Sequence, residues 1–152
     1  AVTTDVGEAK DVHPKNKQVV GHRLAAIALN DVYGLPQTCS GPVYKSAIFS
    51  NGKAILSFNS IGKGLISKNR YGALEGFEIA GADRKFYFAK AVIHNDQVEV
   101  SADSVTSPVA VRYGWSNAPV QINLYNMEGF PASPFRTDDW PGVTDKEGFF
   151  KP

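Results

Sequence analysis

A carboxylate and an imidazole stand two residues apart, as Asp11 and His13, just before a segment with helical periodicity. A histidine can take the proton of a serine hydroxyl, and a neighbouring carboxylate can hold the imidazole in the tautomer that this step needs. The same spacing also suits an ordinary capping and surface arrangement at the start of a helix. The residue types alone therefore leave a hydrolase base and a helix cap both open.

A second hydrolase signal is a possible nucleophile, Ser116, in the run Gly-Trp-Ser-Asn-Ala at residues 114–118. This run superficially echoes the Gly-x-Ser-x-Gly elbow, in which a strand, a sharp turn and a helix expose the serine. Here Pro119 and a further β-favouring run follow instead of a helix. We therefore expect Ser116 not to be a nucleophile.

The other chemically active residue types give no metal site. His22 falls inside the predicted helix and His94 beside a predicted turn, and no metal-ligand spacing links the histidines. The single cysteine, Cys39, has no second cysteine to pair with, and we expect it to be a small buried hydrophobe. We expect neither a metal nor a cofactor.

Composition limits the class of protein. The chain has 152 residues, 43% of them hydrophobic and 20% charged, which is typical of one ordinary globular domain or a domain with an appendage. Its formal net charge is +1 without a cluster of Lys and Arg, so nucleic acid is not expected as a partner. No apolar run approaches the roughly 20 residues that span a bilayer, so we expect no membrane partner.

The first part of the chain predicts a strand, a loop and a helix. Residues 1–4 favour β-structure, and Pro14 stands where the first turn of a helix tolerates proline. A helix over residues 14–33 follows from apolar residues at helical spacing, with polar residues on the other faces; the apolar set is Val20, Leu24, Ile27 and Ala28, and the polar set is Lys15, Lys17, Arg23 and Asn30. Gly34 and Pro36 end it.

After Cys39 the pattern changes to short β-favouring runs separated by turn signals. One hairpin joins residues 43–49 to 53–58 through Asn51-Gly52, and another joins 86–94 to 98–101 through Asn95-Asp96. Further strands are predicted at 77–79, 109–115 and 121–125. Seven or so strands indicate an antiparallel β-sandwich, and residues 129–152 are predicted to be an ordered meander.

Two blocks of sequence resemble one known family, the sialate O-acetylesterases, which are SGNH-type hydrolases. Residues 11–18 read DVHPKNKQ, with Gly21 and residues 23–25 following, and resemble the family's histidine block. A longer resemblance to its C-terminal region runs through PVAVRYGWSN at 108–117, NLYN at 123–126, and EG and PASPFRTDDW between 128 and 140. Residues 40–105 match more loosely.

This resemblance implies a division of the chain and a function. Residues 1–38 would be the last strand, loop and helix of an SGNH catalytic domain, and residues 39–152 an appended β-sandwich-like domain with a meandering tail. His13 would be the general base of a serine-type carbohydrate O-acetylesterase. The serine and oxyanion blocks of the family precede the histidine block and are not found here, so we expect them in an N-terminal part outside this chain and expect the chain alone to be inactive.

The acid partner of His13 stays open at this point. SGNH hydrolases commonly place an Asp three residues before the His, where this chain has Lys10. Asp11 is the favoured candidate, and Asp5 and Glu8 are the alternatives.

The implied substrate is an O-acetylated sugar, with 9-O-acetylated sialic acid first. An acetylxylan esterase segment and a non-catalytic module that braces the catalytic domain or binds glycan are the alternatives. Trp115 and Arg136 are candidate sugar-binding residues through stacking and hydrogen bonds. Arg136 with Asp138 or Asp139 equally suits an ion-pair network that closes the tail. The family implies a secreted, periplasmic or lysosomal location.

Overall fold

The computed structural model describes residues 1–119 and 122–142 and contains, within them, one helix and ten strands. The helix is α1 (Lys17–Asp31). The strands are β1 (Val43–Ser50), β2 (Lys53–Asn59), β3 (Leu65–Ser67), β4 (Phe77–Ala80), β5 (Phe86–Phe88), β6 (Lys90–His94), β7 (Gln97–Ser101), β8 (Ala110–Tyr113), β9 (Leu124–Asn126) and β10 (Phe135–Arg136). All strand pairs are antiparallel, which confirms the mainly antiparallel β class.

The first sheet has the order β1-β2-β7-β6 and contains both predicted hairpin turns. Asn51 and Gly52 adopt φ angles of 49° and 74°, the positive values that a tight two-residue hairpin turn requires. Asn95, at the second turn, also has a positive φ of 54°. The local turn chemistry therefore sets this sheet as expected.

The second sheet has the order β10-β8-β4-β5, and it corrects the prediction of one strand over residues 86–94. The strand is interrupted at Ala89, whose N–H donates to the carbonyl of Phe77 at 3.0 Å. Before the break β5 pairs with β4, and after it β6 pairs with β7 of the first sheet. One extended run thus passes from one sheet to the other. A third sheet contains only β3 and β9.

One apolar core lies between the sheets. Its fully buried members include Leu56 and Val98 from the first sheet and Ile79 and Val111 from the second. The β10 strand pairs with β8, so the predicted meander contains a short strand that contributes Phe135 to this core. Residues 143–152 of that predicted meander lie outside the described part.

The segment before the sheets differs from its prediction in two ways. Residues 1–4 form no strand; instead the N–H of Val6 donates to the carbonyl of Thr3 in a turn. The helix starts three residues later than predicted because Asn16 caps it, accepting from the N–H of Val19 at 3.1 Å. Gly34, with a φ of 66°, follows its end. In the described residues, no helix is long and apolar enough to cross a membrane.

The expected apolar face of α1 is only partly covered, since Val20, Ile27 and Ala28 are half-buried. Its buried residues are Arg23 and Ala26, whereas Leu24 is 55% exposed. Arg23, predicted to lie on a polar face, therefore points inward, and the next section describes its partners.

Candidate functional site

Asp11 and His13 are in direct contact. The backbone N–H of His13 donates to Asp11 Oδ1 at 2.9 Å, and the same oxygen lies 3.2 Å from His13 Nδ1. Both side chains are accessible, 80% for His13 and 47% for Asp11. A carboxylate on Nδ1 is the arrangement in which the other ring nitrogen, Nε2, can take a proton from a nucleophile. The pair therefore has the geometry of an oriented base.

The two alternative acids have other partners. Glu8 Oε2 accepts a hydrogen bond from Lys15 Nζ at 3.0 Å. Asp5 is bound to Arg23, and its side chain is only 7% exposed. Asp11 is thus the acid among the three that contacts His13, although its catalytic role stays a prediction.

A cavity of about 490 Å³ lies beside this pair. One wall comes from residues 3–4 and 7–12, and the other from residues 117–119, in the loop after β8. Among these lining residues, Asp11 and Val12 belong to the first block that carried the resemblance, and Asn117 to the second. The fold therefore brings both blocks to one concave site, with Asp11 in the lining and His13 two residues beyond it.

The cavity lining carries one cation without a fixed partner. Lys10 makes no hydrogen bond or ion pair within residues 1–119 and 122–142, whereas the neighbouring Glu8 is paired with Lys15. An ammonium group in such a position can pair with a carboxylate of a bound molecule. Lys10 is thus the group of this lining that could pair with an anion, beside the carboxylates of Glu8 and Asp11.

A buried ionic cluster lies behind the cavity. Arg23 donates from Nη1 to Asp5 Oδ1 at 2.6 Å and from Nη2 to Asp5 Oδ2 at 2.7 Å. Its Nη1 also donates to the carbonyl of Val2 at 2.7 Å, and the hydroxyl of Tyr125 donates to Asp5 Oδ2 at 2.8 Å. The cluster therefore joins the N-terminal loop, α1 and β9.

The pKa values in this cluster follow from burial and pairing. Burial by itself raises the pKa of Asp5, but hydrogen bonds from Arg23 and Tyr125 and the charge of Arg23 outweigh it and leave that pKa lowered. The bond to Asp5 raises the pKa of Arg23. Burial and the Asp5 carboxylate both raise the pKa of Tyr125. Asp5 is thus held ionised between two donors.

Sequence reasoning missed this cluster. Arg23 was placed on a polar face and Tyr125 in an ordinary strand, and 120 residues separate Tyr125 from Asp5. The available signal is that Arg23 stands three residues after Val20 and four before Ile27, where a helix would turn it to their side, and a buried guanidinium needs a carboxylate.

Trp115 and Arg136 are also brought together. The Arg136 guanidinium lies over the Trp115 ring, 5.2 Å from its centroid, and donates to the carbonyl of Trp140 at 2.7 Å. Trp115 is 47% exposed and precedes the residues of the second cavity wall. A partly open indole with one cationic neighbour can stack on a sugar ring. The sugar-binding roles stay predictions.

The ion-pair network expected in the tail is present. Arg112 donates twice to Asp138, from Nε at 2.9 Å and from Nη2 at 2.8 Å, and Arg136 lies 3.9 Å from the same carboxylate. Burial by itself raises the pKa of Asp138, but the hydrogen bonds and the charge of Arg112 outweigh burial and leave that pKa lowered. Of the two acids considered, Asp138 makes this network. Arg136 therefore has a structural role whatever it binds.

The remaining candidates lie away from the site or lack its geometry. Ser116 is exposed in a loop, and no helix follows it at residues 117–119, so the elbow context is missing. His22 stacks on Phe130, His94 ends β6, and Cys39 is half-buried. No group of three His, Cys, Asp or Glu side chains that could hold a metal occurs in the part of the chain that the structure describes.

Comparison with known proteins gives a similar solved structure. No family model matches the chain, and no curated protein shows significant similarity. The crystal structure of a carbohydrate acetylesterase from Xanthomonas citri superposes with a TM-score of 0.86 at 50% sequence identity over 90% of this chain. The chain spans 31% of the length of that enzyme. The similarity supports kinship with carbohydrate esterases.

Proposed function

We propose that this chain is part of a serine-type carbohydrate O-acetylesterase of the SGNH class, in which His13 is the general base and Asp11 orients it. The observation that carries the proposal is the contact between Asp11 and His13 beside a cavity built from two distant sequence blocks. Half the residues of the matched region are identical to those of a carbohydrate acetylesterase, which adds support.

In the proposed mechanism, the nucleophilic serine comes from a part of the natural protein outside this chain. Nε2 of His13 takes the proton of that serine as its oxygen attacks the acetyl carbonyl, and then donates it to the departing sugar oxygen. A water molecule, deprotonated by His13, then attacks the acyl carbon; acetate leaves, and His13 returns the proton to the serine oxygen. Asp11 stabilises the imidazolium form throughout, and backbone amides stabilise the oxyanion.

The same proposal assigns residues 1–38 to the catalytic domain and residues 39–152 to an accessory β domain. Two features support this division. The helix α1 leaves the apolar side chains of Leu24 and Leu29 exposed, and His13 is open to solvent. Both would be covered by, or face, the serine-bearing part. We place the enzyme in a secreted, periplasmic or lysosomal compartment.

We propose an acidic sugar, O-acetylated sialic acid, as the substrate. Lys10 supplies a cation for the sugar carboxylate, and Trp115 an indole face for the ring. Acetylated xylan, the alternative, has a neutral backbone and gains nothing from Lys10. The substrate proposal therefore rests on charge in the cavity lining.

The test of the base is hydrolysis of p-nitrophenyl acetate and of 9-O-acetylated sialic acid. We expect this chain alone to be inactive and the natural protein that contains it to be active. His13→Ala should lower kcat by about 10³-fold or more, as removal of a catalytic base does. His94→Ala, which removes another exposed histidine, should leave kcat unchanged. Full activity in His13→Ala would exclude the assignment.

The substrate test is Lys10→Gln in the natural protein. We expect KM for 9-O-acetylated sialic acid to rise roughly tenfold, as loss of one charge-assisted contact does, with kcat little changed. KM for acetylated xylan oligosaccharides should stay constant. Equal effects on both substrates, or none, would favour the neutral sugar.

A glycan-binding accessory role is the second candidate, favoured by the exposed face of Trp115. In that case this chain alone binds sialylated or xylan oligosaccharides. Trp115→Ala would abolish the binding, whereas His13→Ala would not change it.

A further inference from the structure

We infer that Asp5, Arg23 and Tyr125 are positioning residues for His13: they fix the loop that carries Asp11 and His13 to the β domain and so set the shape of the cavity. The consequence for catalysis rests on the proposed function, whereas the consequence for loop order does not.

The cluster holds the chain on both sides of the His13 loop. Asp5 lies within the stretch whose neighbours on either side, residues 3–4 and 7–12, line the cavity. Arg23 lies in the second turn of α1, after His13, and binds Asp5 and the carbonyl of Val2. The loop is therefore closed at its base by one guanidinium.

Tyr125 connects this closed loop to the opposite wall. Its hydroxyl donates a side-chain hydrogen bond from β9 to Asp5 in the loop, and Tyr125 is only 4% exposed. The wall residues 117–119 lie shortly before β9 in the chain. A shift of Asp5 relative to Tyr125 thus changes the separation of the two cavity walls.

The hydrogen bonds of the cluster hold the loop in one orientation, because they form only within a narrow range of angles. Paired planar groups such as guanidinium and carboxylate bind in two parallel bonds, and this geometry tolerates little rotation. Apolar packing of α1 is limited, because Ala26 is the one buried apolar residue of that helix and Val20 and Ile27 are half-buried. The position of Asp11 and His13 therefore depends on polar bonds with defined angles.

The test uses Tyr125→Phe, which removes one hydroxyl, and Asp5→Asn, which removes the charge. Tyr113→Phe is the matched control, because it removes another buried tyrosine hydroxyl, one that accepts from the N–H of Leu124 at 3.0 Å and makes no hydrogen bond to Asp5 or Arg23. The first measurement is the backbone ¹⁵N order parameters of residues 7–12 in this chain. The second is kcat and KM for acetyl-ester hydrolysis in the natural protein that contains it.

We expect order parameters of about 0.8 in the original chain and in Tyr113→Phe. The values should be lower in Tyr125→Phe and should fall below about 0.6 in Asp5→Asn. We expect kcat to fall roughly tenfold in Tyr125→Phe while KM changes less than about twofold, because a misplaced base weakens the transition state more than substrate binding. Tyr113→Phe should keep its kcat.

The outcomes separate the two proposals. Loosening of residues 7–12 in a protein that never hydrolyses acetyl esters supports the positioning role and overturns the esterase proposal. Unchanged order parameters in Tyr125→Phe and Asp5→Asn overturn the positioning role, even if His13→Ala abolishes activity. Equal losses of kcat in Tyr125→Phe and Tyr113→Phe also overturn it, since they indicate general destabilisation.

Discussion

Residues 1–38 and the β region from Val43 onward are held in place by different forces. The β region has a continuous apolar core, in which Leu56 and Ile79 are fully buried. The N-terminal segment is attached through the hydrogen bond from Tyr125 to Asp5, which Arg23 holds in place, and a cavity of about 270 Å³ lies between α1 and the loops at residues 39–41 and 130–131. The β region thus depends on buried area, and the segment with Asp11 and His13 on a few directional bonds.

Because of this difference, the stability of the β region and the position of Asp11 and His13 should respond to different mutations. Apolar burial is non-directional and scales with area, so the β region can absorb small shifts. Paired charges out of water are strongly destabilising when one partner is lost, because the other remains buried and uncompensated. Changes in the cluster should therefore detach the segment, whereas changes in the core should lower the stability of the β region.

Arg23→Met should lower the unfolding free energy of the N-terminal segment more than any other change considered, and should make the two regions unfold at different urea concentrations. Removing the guanidinium leaves Asp5 buried without its partner, which costs about 3–5 kcal/mol. We expect the helical signal at 222 nm to be lost at a lower urea concentration than the tryptophan fluorescence of the β region. In the original chain the two signals should change closer together.

Lys53→Met is the matched control for this variant. Lys53 pairs with Glu99 at 2.7 Å, but on the solvent-exposed side of the first sheet. Its loss should leave both transitions nearly in place, because exposed ion pairs add little. A large shift in Lys53→Met, or coincident transitions in Arg23→Met, would contradict the contrast between the regions.

Leu56→Ala should give the next largest effect, in the opposite region. Leu56 is fully buried between the sheets, and its truncation should cost about 2–5 kcal/mol through lost burial and the cavity left behind. The midpoint of urea unfolding, followed by tryptophan fluorescence, measures it. We expect the chemical shift of His13 to stay unchanged below the transition. A shifted His13 signal would mean that the core also positions the site.

The sequence predicted contacts between neighbouring residues, but not contacts between residues that are far apart in the chain. The hairpin turn at Asn51-Gly52 and the contact between Asp11 and His13 depend on neighbouring residues, and both were predictable. The break at Ala89 was not, because residues on either side favour strands and only their pairing partners differ. The pairing of Asp5 with Tyr125, 120 residues away, has no local signature at all.

The loss of stability in acid should be a smaller effect and should come from the charged clusters. The folded-state pKa of Asp5 lies below its ordinary value of 3.8, and that of Asp138 is lowered in the same direction. Their stabilisation is therefore complete above the unfolded pKa and is lost as pH falls through the folded pKa. Urea unfolding at pH 7 and pH 3 should show a smaller acid loss in Asp5→Asn than in the original chain. Equal losses would remove Asp5 from this account.

Leu24→Gln should give the smallest effect, although it replaces an apolar residue of α1. Leu24 is 55% exposed, and leucine and glutamine have similar helix propensities, so we expect a change within about 0.5 kcal/mol in the unfolding free energy of this chain. Ala26→Gln, two positions along the same helix, should cost more because Ala26 is 7% exposed, and a longer polar side chain there would have to displace its neighbours or bury its amide. Urea unfolding followed at 222 nm compares the two. If Leu24→Gln instead destabilised the helix as much as Ala26→Gln, α1 would be held by apolar packing, and the polar attachment through Arg23 would no longer distinguish this segment from the β region.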